Sequence, residues 1–212
     1  MKLTSLEQAK NNVSLENPNL PMKLRFEVSD PNVIKKLLEV NDLTLPTTRE
    51  QRNIVGKIFD QVVLKLTENS FRNITVVRDN PIVSSEDNFD NLLFTPGNPG
   101  RSSTYTRYVD ENNILRTHTS AMIPKQFRIF SKQQPKDPVT LVLPGLVYRR
   151  DVIDPRHLDA FHQIDVWTLQ KIVEFGSATR EDLLKLVRVV FSAACPDAEM
   201  VYYEAKHPYT LD

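Results

Sequence analysis

Two apolar, β-branched runs, Pro138–Arg150 and Phe161–Gln170, flank a polar stretch at Asp151–Ala160. They read as a hairpin of two long strands with a long connecting loop. Alternate residues of a strand share a face. Arg149 and Asp151 therefore point one way, and Phe161 and Gln163 share a face of the returning strand. Any fold for this chain must be built around that hairpin.

The flanking sequence supplies helices and short strands. Thr47–Thr67 carries the longest helical pattern, with Ile54, Ile58, Val62 and Leu66 at four-residue spacing and Val55, Phe59 and Val63 beside them. Thr47 or Thr48 is expected to cap it, with Glu50 three residues after Thr47, and Asn69-Ser70 to end it. Asp30-Pro31 opens a shorter helix containing Val33, Ile34, Leu37 and Leu38. Met22–Ser29 alternates apolar and polar residues, which suits a half-buried strand, and the polar, Asn-rich residues 1–21 suit a loose arm.

Further along, Ile74–Val77 reads as a strand, and the turn-rich Ser84–Arg107 as an ordered loop over a site. Asn113–Thr117 suits a short strand. Ser120–Phe130 suits a helix with Pro124 in its first turns, where a missing N–H costs least. Thr179-Arg180-Glu181-Asp182 is a capping box, with Leu183, Val187, Val190 and Ala194 expected on one face of its helix. Met200–Glu204 reads as a final strand. This order gives an α+β fold with a mostly antiparallel sheet flanked by helices. The expected division is an arm and small strand/helix extension over 1–46, then a core over 47–212.

Charge and cysteine usage narrow the function classes. The 27 basic and 27 acidic residues cancel, so no global attraction draws the chain to nucleic acid. DNA is not an expected partner, although a local patch would suffice for a tRNA. The single cysteine, Cys195, rules out an intrachain disulfide and a Cys-rich zinc cluster. It follows an apolar helical pattern and reads as a buried structural thiol in a reducing cytoplasm. No run of about 18 apolar residues is present, so neither a membrane span nor a membrane partner is expected, and residues 1–21 lack the apolar core of a signal peptide.

The chemistry-bearing residues concentrate on the hairpin: Tyr148-Arg149-Arg150-Asp151, then Asp154, His157 and Phe161-His162-Gln163. An arginine there can clamp a phosphate bidentately. An aromatic can stack on a base, and a glutamine can bond a polar substrate group. Each has an ordinary alternative. A surface Arg–Asp pair is commonly a solvated cross-strand pair, and a lone His118 is commonly structural. His157 and His162 near Asp154 and Asp165 invite a metal reading, but no supporting ligand spacing accompanies them. No metal site is expected.

Several segments together resemble a known family. Gly145-Leu146-Val147-Tyr148-Arg149-Arg150-Asp151 with Asp154, His157 and Phe161-His162-Gln163 is similar to the second class II motif of phenylalanyl-tRNA synthetase catalytic chains. Leu115-Arg116-Thr117-His118-Thr119-Ser120 is similar to that family's RTHTS segment. Pro81, Asn88-Phe89-Asp90-Asn91-Leu92 and Pro99-Gly100-Arg101 follow its first motif and the segments after it, and His207-Pro208-Tyr209-Thr210 stands where FPFTEP is usual. The order and spacing agree over residues 50–212, and several matches in order are far more specific than any one.

The resemblance implies an ATP-dependent ligase that activates an amino acid for transfer to tRNA, with Mg²⁺ assisting. It implies that Arg149 meets the α-phosphate and the amino-acid carboxylate, that Asp151 and His157 lie around the ATP amine and phosphates, and that Phe161 stacks on adenine. Gln163, His118 and Ser120 would surround the amino-acid ammonium and carboxylate. Asp165, His207 and Tyr209 would line the amino-acid side, and the 47–81 helix and strand would form a homodimer interface.

This chain departs from the pattern on the amino-acid side. Asp165-Val166 stands where Glu-Gly is usual, Ile123 where Gln is common, His207 and Tyr209 where two phenylalanines are usual, and Leu211 where Glu is usual. A substrate more polar than phenylalanine is the expectation. The third motif, a Gly-rich segment ending in Glu-Arg, is not in this sequence, and the expectation is an incomplete core that alone catalyses poorly or not at all. The competing readings are a non-catalytic paralogue binding nucleotide or amino acid as a regulatory module, and a structural or dimerisation domain.

Overall fold

The computed structural model describes residues 26–46, 52–150, 154 and 157–203. Helix α1 (Pro31–Leu38) starts where Asp30 accepts the Asn32 N–H at 2.7 Å, with Pro31 at the position whose N–H is not needed. Its apolar residues Ile34 and Leu37 are buried.

Helix α2 (Ile54–Glu68) begins later than the sequence pattern suggests. Asn53 caps it, accepting the Gly56 N–H at 2.9 Å. The apolar period itself starts at Ile54, and asparagine is a stronger cap than threonine. The capping positions expected at Thr47, Thr48 and Glu50 lie outside the described residues. Asn69 ends the helix and Ser70 follows with φ of 67°.

Strands β1 (Ile74–Val76), β2 (Ile82–Ser84) and β3 (Asn113–Leu115) are short. Helix α3 (Ile123–Gln133) then carries Pro124 in its first turn. Strands β4 (Val139–Tyr148) and β5 (Ala160–Leu169) form the expected hairpin, paired from Val139↔Leu169 to Tyr148↔Ala160. Helix α4 (Arg180–Ala194) opens with the full capping box between Thr179 and Asp182. The main sheet runs β1-β4-β5. It is mixed, because β1 lies parallel to β4 and β5 antiparallel to it, while β2 and β3 pair antiparallel by themselves.

Alternation along the hairpin divides the core. Leu141, Leu143 and the half-buried Trp167 pack with Met122 and Ile123 at the start of α3. On the opposite face, Val142, Ile164 and Val166 pack with Phe59, Val62 and Leu66 of α2 and Val189 of α4. Leu146 and Tyr148 continue that face onto Ile34 and Leu37 of α1. The hairpin thus has a helix-covered back and a front that is open beyond α3.

Other expectations need correction. In the described part of the Met22–Ser29 segment only Val28 bridges, to Tyr108, so there is no strand there. Residues 201–203 of the expected last strand are irregular, and Glu204 lies outside the described residues. Helix α4 packs through Leu186, Val189, Val190 and Ala193, whereas Leu183 and Val187 are exposed. The helix is rotated so that its contact stripe centres on Val189, and only Val190 belongs to both sets. Cys195 is exposed, not buried, because it forms the C-cap, where the chain leaves the packed face.

Candidate active site

The site lies on the open front of the hairpin, and a stapled loop roofs it. In the segment after β2, Asn88 is fully buried; its Nδ2 donates to Thr117 Oγ1 at 2.8 Å and its Oδ1 accepts the Thr117 N–H at 3.0 Å. That pair fixes the Arg116–Ser120 segment to the roof. Arg101 pins the rest from within. Its Nη2 donates to Asp90 and to the Phe94 carbonyl, each at 2.7 Å, its Nε donates to the Thr95 carbonyl at 2.9 Å, and its Cζ lies 4.9 Å above the Phe89 ring. Arg150 joins this loop to the end of β4: its N–H donates to the Tyr105 carbonyl at 2.8 Å and its Nη1 to that of Ser103 at 3.0 Å. The Ser84–Arg107 stretch is therefore the ordered cover that its turn residues suggest.

Beneath this cover is a cavity of about 470 Å³ whose walls include His118, Ser120, Arg149 and Gln163. Residues far apart in sequence thus share one space. His118 stacks on Phe94, centroids 5.6 Å apart and planes 15° from parallel. Arg149 donates from Nε to the Thr117 carbonyl at 3.1 Å and lays its guanidinium over Phe161, 5.2 Å from the ring centroid. Ser120 Oγ donates to the Asp165 carboxylate behind it. Gln163 Oε1 is buried with no hydrogen-bond partner among the described residues. A cationic fork, an aromatic face and an unsatisfied amide oxygen are together suited to an anionic group, a flat ring and an N–H donor.

Deeper in, Gly145 sits opposite Gln163 in the ladder. It has φ of +151°, and a Cβ on it would collide with Arg116 Nη2. Arg116 is almost wholly buried and donates from Nε to the Leu146 carbonyl at 2.8 Å. Burial pushes its guanidinium pKa down, against the opposing pull of Tyr148, Asp42 and Asp79. The glycine leaves room for a buried cation next to the site.

Not every expected site residue joins the wall. His157 sits on the connecting loop with Nδ1 2.9 Å from both carboxylate oxygens of Asp154, away from the cavity lining. The local Asp–His attraction, three residues apart, sets its position there. Asp151, His207 and Tyr209 lie outside the described residues. His162 faces the back of β5, where its Nε2 accepts the Leu43 N–H at 2.9 Å. Among the described residues no group of three or more His, Cys, Asp or Glu side chains is placed to hold a metal ion. Conversely, Phe94, Tyr105 and Thr106 line the cavity without having been singled out by sequence. Only the turn-rich character of their segment marks them, since the backbone path of a loop, not a periodicity, decides which of its side chains face inward.

Comparison with known proteins gives the chain's relatives. The family model for the class II core domain of tRNA synthetases, of the type labelled F, matches residues 40–211. The phenylalanine–tRNA ligase alpha subunit of Teredinibacter turnerae is 34% identical over 197 residues, 93% of this chain and 54% of that protein. The mitochondrial phenylalanine–tRNA ligase of Saccharomyces cerevisiae is 30% identical over 164 residues, 76% of this chain and 34% of that protein. The chain thus spans between about a third and about half of these relatives' length. Among solved structures, the pyrrolysyl tRNA synthetase PylSc of Desulfitobacterium hafniense superposes with a TM-score of 0.53 at 16% identity, over 89% of this chain and 64% of that one, a likeness of fold.

Proposed function

The chain belongs to the class II core-domain family of tRNA synthetases, and we propose that its cavity activates an amino acid with ATP, forming an aminoacyl-adenylate for transfer to tRNA. The observation that carries this reading is the convergence of Arg149, His118, Ser120 and Gln163 on one cavity from separate parts of the chain.

In the proposed reaction a carboxylate oxygen of the amino acid attacks the α-phosphorus. A new P–O bond forms, the bond to the bridging oxygen of the β-phosphate breaks, and pyrophosphate leaves. No protein nucleophile is needed, only positioning and compensation of charge. Arg149 binds the α-phosphate and the attacking carboxylate, an assignment supported by its fork geometry and its anchorage on the Thr117 carbonyl. Phe161 offers its ring to adenine. Gln163, with its unsatisfied Oε1, accepts from the ammonium group, and His118 and Ser120 complete that side. Asp151 and His157 are assigned to the nucleotide by the family resemblance alone, since Asp151 lies outside the described residues and His157 pairs with Asp154 away from the cavity lining. Mg²⁺ bound to the triphosphate would supply neutralisation of its charge.

The amino acid is proposed to be phenylalanine or a more polar relative. Support for the polar alternative comes from the sequence, where Asp165, His207 and Tyr209 stand at positions that in the family usually hold a glutamate and two phenylalanines. The tRNA and a second copy of the chain, meeting through the 47–81 segment, are the proposed partners, and the cytoplasm the proposed compartment. Among the described residues no helix is long and apolar enough to cross a membrane.

ATP–pyrophosphate exchange with a panel of amino acids, run on the full-length protein, tests the reaction. Exchange dependent on one amino acid is expected. Nucleotide binding without exchange for any of them would overturn catalysis and leave a binding module.

A further inference from the structure

We propose that His162 is a positioning residue: from the back of β5 it holds the 41–46 segment through an acceptor nitrogen and thereby fixes how Gln163 is presented to the cavity. The proposal rests on the reading of that cavity as the ATP and amino-acid site.

His162 stands between Phe161 and Gln163 and, by strand alternation, points to the opposite side. Its Nε2 accepts the Leu43 N–H at 2.9 Å, and the ring also makes a backbone hydrogen bond with Asn41. An Nε2 that accepts requires the neutral ring with its proton on Nδ1. The segment it holds is stapled elsewhere as well. Asp42 Oδ1 accepts from the Thr44 N–H at 2.9 Å and from Thr44 Oγ1 at 2.7 Å, and Arg78 donates to Thr44 Oγ1 at 2.8 Å and to its carbonyl at 2.7 Å. Asn53 Nδ2 reaches the Leu43 carbonyl at 3.3 Å from the start of α2. His162 is thus the link between a braced segment and the strand that carries the site.

Gln163 depends on that link. Its Oε1 has no hydrogen-bond partner among the described residues, and its ladder partner is Gly145, which offers no side chain to lean on. Its direction is therefore set by the β5 backbone, which the ladder with β4 holds and His162 anchors from behind.

Protonation reverses the contact. With both ring nitrogens carrying protons, Nε2 can no longer accept from Leu43, while Asp42 Oδ1 lies 3.6 Å from it. The other charged and titratable groups around the ring's neighbourhood are Arg78 beyond β1, Arg116, which Asp42 and Asp79 both attract, Tyr148 on β4, and Arg52 with Asp60 on the α2 side. Burial holds the His162 pKa below its ordinary 6.5 in spite of Asp42. The neutral, Leu43-holding form therefore persists through neutral pH and is lost only as pH falls through the lowered value.

The test is an NMR titration of the isotopically labelled chain, paired with calorimetry using ATP and Mg²⁺. The Leu43 amide and the Gln163 side-chain amide are expected to titrate together with the His162 ring. In His162→Gln, whose carboxamide oxygen can stand where Nε2 stands but does not titrate, both should stay still. His162→Ala should weaken ATP binding roughly tenfold at neutral pH, the scale of one lost backbone hydrogen bond, and His162→Gln should lose less. A Gln163 amide that stays fixed while Leu43 titrates would overturn the proposal. So would a His162→Gln variant that keeps the wild-type pH profile. If ATP binds at no pH but the coupled titration is seen, the nucleotide reading fails and the positioning role of His162 stands.

Discussion

Arg149 lies across the face of Phe161, with its Cζ 5.2 Å from the ring centroid, and is steadied there by the Thr117 carbonyl. The cation and the ring support one another, with Arg149 lining the cavity and Phe161 behind its guanidinium. A base that stacks on Phe161 is thereby set beside a guanidinium that can take the adjoining phosphate. Phe161→Ala is expected to weaken ATP binding by about 1–2 kcal/mol, since stacking on one aromatic is worth roughly 1–3 kcal/mol. Arg149→Lys should not rescue Arg149→Ala, because an ammonium can neither spread over the ring nor bind bidentately. Calorimetry with ATP and Mg²⁺ checks both; equal binding by the lysine variant would show that only charge matters.

On the amino-acid side, Ser120 Oγ donates to Asp165, so the carboxylate holds a wall residue in place. Asp165→Asn should weaken amino-acid binding by about 1–2 kcal/mol and leave ATP binding nearly unchanged, because a charge-assisted hydrogen bond is replaced by a weaker neutral one. Thermal shift with phenylalanine against polar amino acids reads the substrate itself. Tight binding of phenylalanine alone would sink the polar alternative.

Gly145 and Arg116 cannot both keep their places if the glycine gains a side chain. Gly145→Ala is expected to destabilise the fold by about 1–3 kcal/mol, from overpacking against a buried cation that cannot swing into solvent. At Gly100 a Cβ would meet only Asn98 Oδ1, at 3.0 Å. That atom ends a movable side chain, so Gly100→Ala should cost less than about 0.5–1 kcal/mol. Urea denaturation of the two variants compares them directly; equal losses would show that the Arg116 contact does not matter.

The hairpin, the helix opened by Asp30 and the capping box at Thr179 were legible in the sequence because each rests on local pattern: alternation, a cap, a fixed spacing. The start of α2 was less so. A run of capping residues from Thr47 to Asn53 offers several starts, and the observed one coincides with the first apolar residue, Ile54. The face of α4 was misread because Leu183 and Val187 fit a helical stripe as well as Leu186 and Val189 do, and tertiary packing decides between them. In the site, Arg149, His118, Ser120 and Gln163 could be named from motifs. The inward turn of Phe94, Tyr105 and Thr106 could not, since it follows from the buried Arg101 and Asn88 that fold the roof.

Acid should loosen that roof. Asp87 receives Arg128 of α3 at 3.0 Å and 2.7 Å, and the Asn91 side chain at 2.7 Å. Burial raises the Asp87 pKa, but these hydrogen bonds and the Arg128 charge outweigh it and hold the carboxyl below its usual 3.8. The folded state thus binds this proton less readily than the unfolded chain. The pair's contribution is present above about 3.8 and is lost as pH falls through the lowered folded value. Arg128 is half exposed, so solvent screens the pair and its worth is about 0.5–1 kcal/mol. Asp87→Asn should accordingly be less stable than wild type by that amount at neutral pH, with the gap closing as pH falls below 3.8 through the lowered folded value, as denaturant midpoints at neutral and acid pH would record. A gap that stays constant would mean that Asp87 acts through its shape and neutral hydrogen bonds, with its charge contributing nothing.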